Sequence, residues 1–556
     1  MQAAAVAGAA DPQFELNETE KQFHDERLPP HYEVGYTPSF AEYLHWAKIQ
    51  RAHEDRDTTV THSSSPISSL VHTIKGDKKG SDDGIVTEAK AVEEDEQLAG
   101  LSERDVEYIN ARRALRIATT ASVFYLITCD ILGPFNAPYS IASIGMAPGV
   151  ILYVLFGVFA FLGGVLLWRC FLALDSTRYP IKLYGDLGQR IFGTWARFLS
   201  NFLQLIQLTL NVGLICLSNG QSLSQIITGA PGTTSCVLGI GSLANFSIWI
   251  NLLIIFLSMG FVAHSPPNYA AAKAQGIDFS GPPKIVAIVS LPIFQQVNGV
   301  FNMIFAYGGA MIFPELMAEL RRPRDFIKGM ACAQALIITV YLLYGIFVYC
   351  YQGQYTLALA YQGVSKYSWQ TVSNVFALIT GIIAASLYAN IGLKCVYINF
   401  IEAFGGPPLM TRRGHLLWIP LVVLYWGLAF VIGSAIPSVG TLSGLVAAAC
   451  IFQFSYTFPP ALFLGLLMKI DASDLDEPFT TPGVAPRQYD TWRSIYRWRR
   501  GAFNGSRNRV ILKSLLFLWF IAALATAGLG LWATGTDLRE AITAGAASSF
   551  GCTPPV

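Results

Sequence analysis

Ten apolar runs fill the chain from about residue 117 to 534, and they constrain its fold more than any other feature. They cover residues 117–144, 148–171, 197–218, 246–263, 299–318, 329–350, 372–394, 416–436, 439–468 and 510–534. Crossing a hydrocarbon layer of about 30 Å takes about 20 helical residues. Only helices and closed barrels satisfy the backbone in lipid, and long runs without alternation exclude a barrel. The expectation is an all-α polytopic membrane protein embedded in a lipid bilayer. Charged residues make up only 13% of the chain, against about a quarter in soluble domains. Mean hydropathy is +0.43. A net charge of +1 gives no reason to expect nucleic acid as a partner.

Three regions follow. Residues 1–116 are polar, with HSSSPISS (62–69), KGDKKGSDDG (75–84) and VEEDEQ (92–97), and are expected to be largely disordered. A short helix near 101–116 leads into the first span. Residues 117–534 form the transmembrane domain, and 535–556 a short C-terminal tail. The first residues lack a basic start followed by an apolar core, so the N-terminal tail is expected in the cytosol. Seven of the nine cysteines lie within or at the ends of apolar runs, unlike a disulfide framework.

Basic loops set orientation. They are Arg112–Arg116, Arg178–Arg190, RRPRDFIK (321–328), Lys394–Arg413 and the stretch 469–509, all expected in the cytosol. Arg178 and Arg321 then need an even number of crossings between them, yet only three runs separate them. The uncharged segment 222–243 is a weak fourth span, or that span is missing. Its Gly229, Pro231, Gly232, Gly239 and Gly241 make it a poor helix.

Two spans are interrupted. One reads Asp130-Ile-Leu-Gly133-Pro134-Phe135-Asn136-Ala137-Pro138, the other Tyr307-Gly308-Gly309-Ala310 followed by Pro314-Glu315. Paired breaks point to a transporter binding site, because unwound backbone and half-helix ends hold a zwitterion without full buried charges. The alternative is ordinary proline kinks and close glycine packing. Asp130, inside its span, is a candidate for ion coupling or a carboxylate paired with a neighbouring helix. Asn201, Gln204, Gln207 and Asn211 share one face of the third span, where interhelical hydrogen bonding is the favoured role for most. Tyr341, Tyr344, Ser373, Asn374, Ser386 and Asn390 are weaker candidates of the same kind. Glu315 and Glu319 lie where gating pairs with Arg321 or Arg322 can form, although ordinary interfacial charge is the favoured reading. No P-loop, metal-ligand cluster or nucleophile triad is present in the sequence, so neither an enzyme nor a cofactor is expected.

Several segments resemble fungal members of the amino acid/auxin permease family, within the amino acid-polyamine-organocation superfamily. They are ITCDILGPFNAPYSIASIGMAPG (127–149), LDSTRYPIKLYGDLGQRIFG (174–193), GSLANFSIWINLLIIFLSMG (241–260), AYGGAMIFPELMAELRRPRDFIKGM (306–330) and PSVGTLSGLVAAACIFQFSYTFPP (437–460). The resemblance implies eleven helices, ten of them in two inverted repeats of five, with the first and sixth broken around the substrate. Gly133, Pro134, Phe135, Asn136 and Ala137 match the first break; Tyr307, Gly308, Gly309 and Ala310 match the second. It implies proton-coupled or otherwise ion-coupled secondary active transport of amino acids, and proton symport of neutral amino acids is the expectation adopted. The plasma membrane is favoured over the vacuolar membrane. In the family a further helix and basic loop precede the segment matching GSLANFSIWIN; here that region shrinks to CVLGIGSL (236–243), so the fourth helix looks missing or degenerate. Its loss would make the second broken helix fifth rather than sixth. Two alternatives follow: an amino acid sensor signalling through the N-terminal tail, and a non-functional variant lacking one helix.

Overall fold

The computed structural model describes residues 38–56, 118–131, 133–176, 178–228, 247–274, 281–402, 405–407, 412–436, 438–477, 479 and 487–543. Among these, all regular structure is helical, and pairing outside helices is limited to the bridges Ala118↔Leu320 and Pro267↔Val364. The helices are α1 (Phe40–Arg56), α2 (Thr120–Ile131), α3 (Ala137–Ile144), α4 (Met146–Leu174), α5 (Tyr184–Phe192), α6 (Thr194–Thr228), α7 (Ser247–Ala263), α8 (Tyr269–Ala274) and α9 (Ile293–Phe305). After these come α10 (Phe313–Glu319), α11 (Phe326–Gln352), α12 (Tyr367–Val396), α13 (Arg412–Ala435), α14 (Val439–Val446), α15 (Phe458–Ala472), α16 (Ile495–Phe503) and α17 (Arg507–Thr543). Seven helical runs are long and apolar enough to cross a membrane, and α9 with Gly308–Glu319 makes an eighth if that bent pair is one span.

Burial separates central from peripheral spans. In the run Val439–Leu475, 83% of the most apolar stretch is buried; in Arg413–Ala435 the share is 17%. Leu416, Val423 and Leu424 of α13 are exposed, as side chains facing lipid would be. The α6–α13 contact is a backbone approach, since a Cβ on Gly433 would collide with the Gly213 carbonyl. Small residues at such crossings are how helices pack without a hydrophobic driving force.

The loops gather at two ends. At one, Ala118 N donates to Glu319 O (2.9 Å), Trp168 Nε1 to Pro323 O (2.9 Å) and Lys469 Nζ to Arg190 O (3.4 Å). This end holds the basic segments 178–190 and 321–328 and the described residues of 469–509. There Arg497, buried, pairs with Asp476 (2.6 Å) and Asp490 (3.1 Å), and Asp471 pairs with Arg509 and Lys513 (2.6 Å each). Buried charges persist only with such partners. At the opposite end, Asn268 N donates to Gly363 O (2.9 Å) and Tyr367 OH to Ile226 O (2.6 Å).

Arg178 and Arg321 thus lie at the same end. The suspect span 222–243 does not begin at 222: residues 222–228 are the last turns of α6, and 229–246 lie outside the described residues. α6 and α7 both finish at the end carrying residues 361–367. Ser247, sixteen steps of about 1.5 Å back along α7, starts about 24 Å away. The residues flanking 229–246 are therefore about 24 Å apart along the direction of α7, about half the length of α6.

The N-terminal tail contains a docked helix that its polar composition hid. In α1 the residues Phe40, Tyr43, Trp46 and Ala47 recur at helical spacing, and Trp46 and Ala47 are buried. Arg51 Nη2 lies 3.2 Å from Asp175 Oδ2, Tyr179 OH donates to Glu42 Oε1 (2.7 Å), and Arg178 stacks 4.6 Å over Trp46. Burial, then the adjoining Glu42, pushes the Tyr179 hydroxyl up, so it stays a donor at neutral pH. The rest of the tail, including the helix expected at 101–116, lies outside the described residues. At the other terminus α17 runs on to Thr543, past the expected tail boundary at 535.

Candidate functional site

The first break follows from its prolines. α2 stops at Ile131, Gly133 takes φ −137° and ψ 71°, Pro134–Asn136 form a 3-10 turn, and α3 restarts with Pro138 in its first turn. Proline has no N–H for a helix interior but suits a first turn. The freed Gly133 N–H donates to Tyr341 OH (3.3 Å). Phe135 meets the rings of Tyr361 and Tyr344 edge-on at 5.1 and 6.0 Å. Ala137 is fully buried. Asn136 Nδ2 donates to Asn302 Oδ1 (2.5 Å) and to Ser443 Oγ (3.4 Å), while its own Oδ1 is buried without a partner.

The second break lies between α9 and α10. Tyr307 closes the last turn of α9, Gly308–Ile312 form a 3-10 turn, and Pro314 opens α10, with a 45° bend across the pair. Its freed carbonyls find donors on other helices, as backbone away from water requires. Gln207 Nε2 reaches Gly308 O (3.5 Å), Gln204 Nε2 reaches Met311 O (3.4 Å), and Ser455 Oγ donates to Tyr307 O (3.0 Å). Gln204 and Gln207 are buried, so the polar stripe of the third span braces this break. Gly309 and Ala310 are buried within it.

The two sets do not bond directly; they are bridged. Asn302, on α9 five residues before Tyr307, holds Asn136, takes a short hydrogen bond from Ser443 Oγ, and donates to Gly440 O (3.0 Å). Tyr153 lies between Tyr307 and Tyr341 at 6.4 and 6.3 Å, and Tyr307 OH donates to Tyr153 O (2.8 Å). The Asn302 thread continues to Asn298, whose Nδ2 donates to Asp537 Oδ2 on α17 (2.7 Å). Asn298, Asn302, Ser443 and Asp537 escaped the sequence reading. The i,i+4 pair of asparagines in an apolar run was the available signal.

The glycines divide by what surrounds them. Among the described residues, a Cβ on Gly133 would have only Phe135 within reach, at 4.0 Å, so this position is uncrowded by them. A Cβ on Gly308 would sit 3.1 Å from Ile451 Cδ1, which makes Gly308 a packing contact. Tyr341 and Tyr344 join the first break, but Asn374 bonds Gln225 (2.8 Å), Ser386 bonds its own helix, and Asn390 is exposed. Glu315 Oε1 accepts from Gln204 Nε2 (2.9 Å) and Tyr184 N (3.4 Å) rather than from Arg321 or Arg322, so the gating pair, the less favoured of the two readings, does not form there. Asp130 lies in the last turn of α2, and its side chain is outside the described residues.

Comparison with known proteins places these breaks in context. The model of the family described as "Transmembrane amino acid transporter protein" matches residues 117–475. The "N amino acid transport system protein" of Neurospora crassa is 23% identical over 466 residues, 78% of this chain and 87% of that protein. "Auxin transporter-like protein 1" of Arabidopsis thaliana is 22% identical over 75% of this chain and 83% of its own length. "Amino acid transporter AVT1D" of the same plant is 20% identical over 60% and 61%. With the match spanning both breaks and well over half of its length, the chain belongs to the transmembrane amino acid transporter family.

Proposed function

We propose that the chain is a secondary active transporter that moves neutral amino acids together with protons by alternating access. The observation that carries this is the first break. Asn136 is fixed by Asn302 and Ser443 while its Oδ1 stays without a partner, near the uncrowded Gly133. A substrate ammonium supplies the missing donor, and the half-helix ends at the break offer backbone N–H groups to a carboxylate. The names of the Neurospora crassa and Arabidopsis thaliana relatives agree with an amino acid cargo. In this reading the two breaks are the discontinuous helices of two inverted repeats, and residues 229–246 return across the bilayer. The basic end, with α1, faces the cytosol, and the plasma membrane is the expected location. Labelled amino acid uptake, in cells stripped of their own permeases, rises at acidic external pH and collapses with a protonophore. Flux that ignores both and follows sodium refutes proton coupling.

A sensor is the second reading, favoured by the docking of α1 against the 175–190 loop. A sensor binds amino acids without net flux and loses signalling when residues 1–100 are removed.

A further inference from the structure

The second break carries a carboxylate that substrate binding leaves unused. Glu315 sits in the first turn of α10, just past the Gly308–Ile312 turn. Its Oε1 takes the Gln204 amide N–H at 2.9 Å. Its Oε2 is buried without a hydrogen-bond partner, and so is Gln204 Oε1. No Lys or Arg among the described residues pairs with Glu315. A carboxylic acid and a primary amide lying side by side make two parallel hydrogen bonds. The amide N–H donates to one carboxyl oxygen, and the acid O–H donates to the amide oxygen. Here the first bond is present, and the two atoms of the second are both acceptors. A proton on Oε2 removes a buried charge that no cation among the described residues offsets and gives this carboxyl a donor for an unsatisfied acceptor such as Gln204 Oε1, and buried polar atoms as a rule have a hydrogen bond.

We propose that Glu315 is the group that binds and releases the transported proton, with Gln204 as its hydrogen-bond partner. The inference rests on the proton-symport reading and names the proton's site. The step is a simple protonation: the carboxylate takes one proton at Oε2 from the aqueous side and gives it up on the other, with no bond to substrate. Gln204 also reaches the Met311 carbonyl inside the break (3.4 Å), so the same amide answers to the proton and to the unwound segment. Ionisable groups of an unpaired kind within a membrane mark proton paths.

The neighbouring titratable groups are Tyr184 and Asp186 on α5, Cys170 on α4 and, on its own helix, Glu319. Asp186 is held by the Lys182 and Leu183 N–H groups (2.9 and 3.0 Å), and Arg197 of α6 lies 3.7 Å from it. That arginine is thus engaged with Asp186.

Glu315→Gln gives the buried position a permanent N–H donor and no charge, and so mimics the protonated acid. Its acid-driven net uptake falls to background and its protonophore response is lost, while exchange of labelled for unlabelled substrate remains measurable. Glu315→Gln uptake that follows external pH as the unaltered chain does overturns the proposal. Gln204→Met, which removes the partner, shifts the pH of half-maximal uptake; an unchanged profile overturns it. Infrared difference spectra of the purified protein, acid minus alkaline, carry a protonated-carboxyl C=O band that Glu315→Gln abolishes. If the band survives in that variant, or is absent from the unaltered chain, the proposal fails whatever the flux. If the chain moves no amino acid in any mode, the transport reading fails, and the Glu315 band alone still decides the proton site.

Discussion

Asn302→Ala removes the joint between the two halves of the candidate site. The side chain is buried and makes three bonds to other elements: from Asn136 Nδ2, from Ser443 Oγ and to Gly440 O. Interhelical hydrogen bonds in membranes average about 0.6 kcal/mol, so the three together contribute about 2 kcal/mol. The thermal stability of the purified protein should fall accordingly. Only the Asn136 bond acts on the substrate. Its loss, about 0.6 to 1.4 kcal/mol, raises the KM for uptake about threefold to tenfold. Asn136→Ala takes away the same bond from the other side, so the two effects do not add. A double-mutant cycle on KM returns a coupling energy on the order of 1 kcal/mol. Single effects that sum within error would show that Asn302 packs α9 against α14 and does nothing to orient Asn136.

Gly133→Leu abolishes uptake with the protein still in the membrane, because its side chain enters the uncrowded space beside Phe135, whereas Gly133→Ala retains uptake; full activity in the leucine variant would place the substrate elsewhere. Gly308→Ala crowds Ile451 Cδ1 and costs about 1 kcal/mol of stability, and Ile451→Val, which deletes that methyl, restores it; failure of the rescue removes the packing account. Asp175→Ala takes away the acceptor of Arg51 Nη2 and of the Ile181 N–H, and breaking such a buried pair costs about 3 kcal/mol. α1 should then come loose, seen as new tryptic cleavage at Lys48 and Arg51, and undiminished protection would refute the docking. Single cysteines at 178, 273 and 321 in a cysteine-free background test the crossing of residues 229–246. Positions 178 and 321 stay protected from an impermeant thiol reagent on intact cells while 273 is labelled; labelling of 321 alone would remove that crossing.

The spans were legible because lipid imposes one rule on every residue of a run: seven of the ten apolar runs are helices long enough to cross a membrane, and the bent pair α9 with Gly308–Glu319 makes an eighth. The breaks were legible for a related reason: Pro134, Pro138 and Pro314 act through local backbone geometry. The bracing of the second break was half legible, since the spacing of Gln204 and Gln207 gave their common face but not the carbonyls they meet. Asn302 with Ser443, and Asn298 with Asp537, join residues more than a hundred positions apart, and no local pattern encodes such a pairing. α1 was missed because its polar flanks outweighed four apolar residues at helical spacing. A gating pair of Glu315 with Arg321 or Arg322, the less favoured reading, rested on proximity along the chain, and the fold turns Glu315 toward Gln204 instead.

The central claim is amino acid transport driven by protons through the breaks. Purified protein in liposomes, with an acid-outside gradient and labelled neutral amino acids, tests it most directly. The expected result is accumulation above equilibrium that ends when the gradient is dissipated and that needs a several-fold higher substrate concentration in Asn136→Ala. Binding without flux, or an unchanged substrate dependence in Asn136→Ala, would contradict it.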